Sequence, residues 1–314
     1  MNKQDDKGLP GQRPQRVLVT GSSGFIGRRL VPFLENRGYE VRGLTRGPVG
    51  PGLFNWNPAK GIMDAAALDG VDAVIHLAGE NIAAGRWTAA RKRRILASRV
   101  DGTRTLVEAM GKTHRHPKVL ISASGVNFYQ PGPDEQDETS PNGQGFLADV
   151  CRFWETEALV AQTMGVRTVL IRTGVVLDSS GGALARMLPA FKMGLGGPIG
   201  DGRQGFPWIG LDDLLEILEM AIRAETLQGP VNAVHPDLVT QREFSRLLGK
   251  VLHRPSVMRI PAFLVRLLFG QMGEEALLSD LRIRPGVLLA RKHPFRFSNL
   301  GDMLAITLGR SKSG

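Results

Sequence analysis

The stretch RVLVTGSSGFIG, Arg16 to Gly27, sets a short apolar run directly before three glycines, Gly21, Gly24 and Gly27, in the spacing GxxGxxG. An apolar run of five residues reads as a buried strand, and the residues from Phe25 to Arg37 that follow read as a helix. In such a strand, turn and helix each glycine answers a steric demand: a tight turn, approach of backbone to a diphosphate, and close packing of helix on strand. Ser23, Phe25 and Ile26 complete the segment between the glycines. The helix start then offers free N–H groups and a positive dipole end to an anion.

Working outward, apolar runs at Arg16–Thr20, Glu40–Thr45, Ala73–Leu77, Lys118–Ser122 and Arg167–Arg172 alternate with helical patterns near Phe25–Arg37, Thr88–Met110 and Phe146–Met164, with a weaker strand signal around Phe54. Strand, helix, strand in this order closes only as right-handed crossovers, so the expected fold is α/β: a doubly wound parallel sheet, the Rossmann fold, with a smaller, mostly helical C-terminal substrate-side region. One conflict is Pro32, too far inside the first helix to be a first-turn proline, which predicts a kink costing roughly 3 kcal/mol if uncompensated. The expected organisation is a flexible tail over 1–15, a dinucleotide-binding domain over 16–175 with further sheet elements near 230–235, a substrate-side region over 176–254, a short C-terminal domain over 255–306, and a tail over 307–314.

The second strand ends Leu44, Thr45, Arg46, where a dinucleotide fold meets the adenosine ribose. A carboxylate there would hold the 2′-hydroxyl of NAD, and none is present. An arginine fork suits a 2′-phosphate instead, so the expected cofactor is NADP(H). After the third long strand comes HLAGEN, His76 to Asn81, whose small Ala78 and Gly79 let backbone approach a nucleotide.

Bulk properties narrow the alternatives. The chain has 314 residues, 42% hydrophobic and 22% charged, the range of ordinary globular proteins. No run approaches a bilayer-spanning length, and MNKQDDKGLPGQRPQ lacks the apolar core of a secretory signal, so a cytoplasmic protein without a membrane partner is expected. A single cysteine, Cys151, excludes an intrachain disulfide and a thiolate metal cage, and the isolated histidines have no ligand spacing, so no metal is expected. The formal charge of +10 raises the question of an acidic partner, and RKRR at Arg91–Arg94 is its densest run. That run lies on a helix without interleaved aromatics to stack bases, so a solvated helix face is expected and no nucleic acid. A homodimer is compatible with these features.

The ordered motifs VLVTGSSGFIG, VIHLAGEN and the strand ending ISAS at Ile121–Ser124 resemble those of an extended or atypical short-chain dehydrogenase/reductase. The resemblance is closest to the NAD-dependent epimerase-like proteins with a C-terminal domain of unknown function, the YfcH-like group. It is carried by HLAGENI, LASRVDGT, GVNFYQ, FLADVCRFWE, IRTGVVLDSSGGALARMLPAFKMGLGGPIG, FPWIGLDDL, GPVNAVHP and EFSRLLGKVLHRPSVMRIPAFLVRLLFG, from Arg16 to about Leu304. The resemblance implies that Thr45 and Arg46 contact the cofactor phosphate, that Leu77, Ala78, Glu80 and Arg99 lie along the adenosine half, and that Val176 lies near the nicotinamide half. Where Gly210 stands, relatives tend to carry histidine.

Dehydrogenases of this class use a tyrosine as proton donor, a lysine four residues on, and a serine at the substrate oxygen. Ser124 fits the serine. The two tyrosines, Tyr39 and Tyr129, are followed four residues later by Gly43 and Pro133, so no YxxxK exists, and in FLADVCRFWE the two positions fall to Leu147 and Cys151. Two outcomes stay open. Either Tyr129, on the loop after Ser124, donates the proton in an oxidoreductase or epimerase acting on a small polar carbonyl or sugar-like substrate, or the chemistry is weak or absent and the protein is an NADP(H)-binding regulator.

Overall fold

A computed structural model describes residues 15–310; the expected N-terminal tail lies outside the described residues but for Gln15, as do the last four residues of the C-terminal one. The chain runs β1 (Arg16–Thr20), α1 (Gly27–Glu35), β2 (Glu40–Thr45), β3 (Leu53–Asn57), β4 (Ile62–Met63), β5 (Ala73–His76), α2 (Ala89–Gly111), β6 (Val119–Gly125), β7 (Glu135–Gln136), α3 (Phe146–Leu159), β8 (Arg167–Thr173), β9 (Val175–Asp178) and α4 (Gly182–Lys192). It continues with β10 (Trp208–Gly210), α5 (Leu211–Arg223), β11 (Gly229–Ala233), α6 (Gln241–Leu252), α7 (Ala262–Phe269), α8 (Gln271–Ala276), β12 (Arg282–Ile283), α9 (Gly286–Ala290) and α10 (Leu300–Thr307).

Eight strands form one sheet in the order β11-β8-β6-β5-β1-β2-β3-β4, parallel throughout except for the short β3–β4 pair. This is the doubly wound fold, with its change of direction between β1 and β5. Alternate residues of each strand feed opposite cores. Val17, Val19, Ile75, Ile121 and Val169 pack with Leu30 and Leu34 of α1 and with Leu214 and Leu218 of α5. Leu18, Val74, Leu120 and Leu170 pack with Leu106 and Met110 of α2 and Ala158 of α3. Burial on both faces is why the strands read as apolar runs instead of alternating patterns.

A third cluster lies at the carboxyl side of the sheet, where Leu184, Leu188, Trp208, Phe244 and Leu248 meet Leu300, Met303 and Leu304. α4, α6 and the last helix therefore share this core, whereas α5 and β11 belong to the core of the main sheet. Two small parallel ladders, β9 with β10 and β7 with β12, fasten this half to the loops leaving β8 and β6.

Pro32 does not end the first helix: α1 runs from Gly27 to Glu35 with the proline inside it. Pro32 and Arg28, whose carbonyl loses its partner, are both exposed, so the disrupted bond lies on the solvent side. No helix among the described residues is long and apolar enough to cross a membrane.

Leu120 is fully buried in the central strand β6. Leu120→Ala is expected to destabilise the fold by about 2–5 kcal/mol, read as a lower urea midpoint without a change in slope.

Candidate functional site

Packing fixes the glycine turn before any ligand is considered. Gly21 has φ +69°, and a Cβ there would lie 3.1 Å from the Ala78 nitrogen. A Cβ on Gly27 would lie 2.2 Å from the Gly21 carbonyl oxygen, an impossible contact. Gly24 closes the turn by donating its N–H to the Gly21 carbonyl at 2.9 Å. The N-cap of α1 is Ile26, no side chain caps the helix, and its first turn holds no acidic residue. Arg28 and Arg29 already donate their N–H groups to the Gly24 and Ile26 carbonyls, so that end offers an outside anion its dipole and the N–H groups just before them, at Phe25 to Gly27. Ser23 is exposed on the same turn, and the Phe25 ring lies against Gly181 and Gly182 at the mouth of α4. Partly buried Val176, on β9, packs into the same cluster as Phe25 and Ile26.

At the tip of β2, Thr45 Oγ1 accepts the Gly47 N–H at 3.0 Å, which turns the chain and leaves Arg46 exposed. No ion pair holds Arg46 among the described residues.

Across the switch point, the backbone after β5 is set by a buried hydrogen-bond chain. Thr20 Oγ1 accepts from the N–H groups of Leu77 (3.2 Å) and Ala78 (3.1 Å), and it contacts His76 Nδ1 at 2.7 Å. His76 Nε2 lies 3.0 Å from Thr103 Oγ1, whose own proton goes to the Arg99 carbonyl. With that proton committed, Nε2 donates and Nδ1 accepts, so the ring is neutral. Burial, reinforced by the Arg99 charge, lowers the His76 pKa to about 3. Neither Thr20, His76 nor Thr103 stood out in the sequence, since a buried positioning network has no local signature beyond the HLAG motif itself.

Glu80 turns its carboxylate to Arg94 (3.3 Å) and Arg91 (3.8 Å), while its carbonyl accepts from Arg99. Part of the basic run thus serves to hold this loop. Gly79 rests on Arg99: a Cβ there would lie 3.1 Å from the guanidinium carbon.

At the end of β6, Ser124 donates to Glu155 Oε1 at 2.6 Å, and Arg172 clamps both oxygens of Glu155 at 2.9 and 2.8 Å. Leu147 and Cys151 sit one turn apart on α3, both buried, with the Cys151 sulfur 3.7 Å from where a Gly125 Cβ would be. Burial first, then Glu155, pushes the Cys151 thiol up to about 11, so it is neither nucleophile nor cation.

Tyr129 corrects the sequence expectation. A short 3-10 turn at Val126–Phe128 carries it into the interior, where it is 1% exposed. Its hydroxyl donates to Asn232 Oδ1 at 2.7 Å and accepts from Arg172 Nη1 at 2.9 Å. Burial raises its pKa to about 12. The phenol links Asn232 to Arg172 in the interior, and its hydroxyl is committed there instead of being presented beside Ser124, which is itself buried. Beyond it, Glu138 accepts from the N–H groups of Asn232 (2.9 Å) and Val287 (3.2 Å), joining the sheet to the C-terminal segment. Glu275 of α8 likewise accepts from the N–H groups of Phe146 and Leu147 at the start of α3. The network of Glu155, Arg172, Asn232 and Glu138, and the separate tie at Glu275, were missed because their members are scattered along the chain. Gly210 is buried against Phe297, with 2.9 Å from its would-be Cβ to that ring, so an aromatic ring fills the space beside this glycine.

The sequence profile of the NAD dependent epimerase/dehydratase family matches residues 17–233, and a domain of unknown function, DUF1731, matches residues 260–306. The chain belongs to the NAD dependent epimerase/dehydratase family. Within it, the chain is 40% identical over 296 residues to the epimerase family protein Mb2239 of Mycobacterium bovis, covering 94% of this chain and 98% of that protein. It is 38% identical over 293 residues to human epimerase family protein SDR39U1, covering 92% and 98%. The crystal structure of human SDR39U1 (isoform 2) with NADPH superposes with a TM-score of 0.86 at 37% identity, covering 95% of this chain and all of that one. A nucleoside-diphosphate sugar epimerase from Corynebacterium glutamicum gives 0.78 at 35% identity, covering 94% of this chain and 58% of that one. The epimerase-family fold therefore accounts for nearly the whole molecule.

Tyr129→Phe removes the hydroxyl that Asn232 Oδ1 accepts from and that Arg172 Nη1 donates to, while Arg172 keeps Glu155 and Asn232 keeps Glu138 and the Arg284 carbonyl. It is expected to lower unfolding stability by about 1–3 kcal/mol while nucleotide affinity stays within about twofold; urea unfolding and a nucleotide titration of the same variant check both halves.

Proposed function

We propose that this epimerase-family protein binds NADP(H) and uses it for oxidoreduction or epimerisation of a small polar carbonyl or sugar-like substrate. The observation that carries the cofactor choice is Arg46, exposed at the tip of β2 with no carboxylate beside it, next to an α1 terminus that no side chain caps. A 2′-phosphate gains two charge-assisted hydrogen bonds from such a guanidinium and meets no repulsion. The NADPH found in the crystal structure of the human relative SDR39U1 supports the same reading.

When bound, the nicotinamide supplies the hydride acceptor or donor. The chain's own contribution begins at Ser124. Because its proton is directed to Glu155, Ser124 Oγ meets an incoming hydroxyl as an acceptor, and a proton released from that hydroxyl passes through Oγ to the Glu155 carboxylate. Arg172 holds that carboxylate by two hydrogen bonds, which fixes its orientation. Without a phenol at the reacting carbon, general acid catalysis worth about 10²–10⁴-fold is weakened, so slow turnover is expected.

A second reading, an NADP(H)-binding regulator, is favoured by Leu147 and Cys151 standing where a proton donor and a cation would be. The two readings differ in whether NADPH is consumed.

Titration of the purified protein is expected to give NADPH at least about tenfold tighter binding than NADH, about 1.4 kcal/mol, with Arg46→Glu erasing the difference. Equal affinities would contradict the cofactor choice. In the same preparations, NADPH oxidation over a panel of polar carbonyls and nucleotide sugars should be slow and lost in Ser124→Ala; no oxidation with any compound would leave the regulator.

A further inference from the structure

We propose that Arg99, on α2, supplies the positive charge for the nicotinamide-side ribose of the dinucleotide, a charge that α3 lacks because Cys151 stands in the lysine position. The inference rests on the NADP(H) reading above and specifies which half of the cofactor Arg99 serves.

Position is the first argument. Arg46 and the adenosine side lie over β2, on one flank of β1, whereas Arg99 sits beyond the switch point at the carboxyl ends of β5 and β6. Its guanidinium lies under Gly79, which follows β5, and 5.0 Å from the Trp154 ring, which is three residues past Cys151 on α3. The Arg99 charge and Cys151 act on each other electrostatically, and Cys151 adjoins Gly125 at the end of β6. A dinucleotide whose diphosphate rests on α1 places its nicotinamide half over β5 and β6. The resemblance had implied the adenosine half for Arg99, and the sheet order points to the opposite half.

The second argument is an unmet charge. Arg99 Nη1 donates to the carbonyls of Glu80 (3.1 Å) and Ile95 (3.2 Å), and within hydrogen-bond range of Ser98 Oγ, but Nε and Nη2 have no protein acceptor among the described residues. No carboxylate forms an ion pair with it, since Glu80 is turned to Arg91 and Arg94. Burial is the main influence on the group and opposes its charge. Arg99 is half-buried and its free nitrogens are not sealed from solvent, so a guanidinium lying over an indole without a counter-ion stays open to an outside acceptor. Ribose hydroxyls are such acceptors, and a planar fork can meet two vicinal oxygens at once. Its stem is fixed by three contacts, so the charge is positioned before the ligand arrives.

The test compares two probes on the purified full-length protein. NADPH carries both halves; adenosine 2′,5′-bisphosphate carries only the adenosine half with its 2′-phosphate. Arg99→Met is expected to weaken NADPH at least about tenfold and to leave adenosine 2′,5′-bisphosphate within about twofold. Adding a lysine on the facing helix, Arg99→Met with Cys151→Lys, is expected to regain NADPH affinity over the single variant. Equal weakening of both probes, or of neither, overturns the assignment, and a double variant no better than Arg99→Met overturns the exchange of charge between α2 and α3. If the unaltered protein binds neither probe, the NADP(H) reading itself fails, a result distinct from the others because it appears before any substitution.

Discussion

The close approach of two backbone segments, the Gly21–Gly27 turn and the Leu77–Ala78 step, is the constraint on which the site depends. A Cβ on Gly21 would crowd the Ala78 backbone to 3.1 Å at a positive φ, and only hydrogen fits where Gly27 meets the Gly21 carbonyl. Thr20 locks the second segment by accepting two of its N–H groups, and neutral His76 holds Thr20 in turn. The consequence is an uncapped α1 terminus at the switch point of a parallel sheet, its dipole and the Phe25–Gly27 amides facing outward, where an extended dinucleotide is recognised mostly by backbone. Side chains then decide which dinucleotide and which chemistry.

Those side chains are distributed differently from the usual dehydrogenase arrangement. Permanent charge comes from arginines on three elements: Arg46 after β2, Arg99 on α2 and Arg172 on β8. Arg172 never reaches the surface; it spends its charge on Glu155, and its side chain and that of Glu155 are each about 6% exposed. A buried pair of this kind adds little net stability, but breaking it leaves one charge uncompensated. It therefore fixes geometry: Ser124 on one side of Glu155, Tyr129 and Asn232 on the other side of Arg172. Through Asn232 and Glu138 the same chain of bonds reaches Val287, so the C-terminal segment is tied to the strand end that carries Ser124. Glu275 adds a second tie at the start of α3.

The sheet was legible because buried parallel strands are apolar runs and the crossover rule leaves one topology for them. β1 and β2 begin and end at the residues their apolar runs predict, β5, β8 and α2 moved by one residue, and the ends of α1, β6 and α3 moved by two or more. The glycine turn and the exposed Arg46 at the tip of β2 were legible because both follow from local spacing at the end of a strand. Tyr129 was misread because five residues from Ser124 on a loop does not say which way the backbone turns; the Val126–Phe128 turn sends it inward. Glu155, Arg172 and Asn232 were invisible for a related reason: their meaning lies in pairing across 17 to 103 residues of chain, which no local pattern records. Arg99 could be read from the sequence only as a candidate cofactor cation or one more charge on a basic helix, and its place under Gly79 and beside Trp154 needed the fold.

A crystal structure of the protein grown with NADPH tests the central claim most directly. The account predicts the diphosphate against the first-turn amides of α1 and the 2′-phosphate within about 3 Å of the Arg46 guanidinium. A diphosphate bound away from that terminus, or a 2′-phosphate directed to solvent with Arg46 uninvolved, would contradict it.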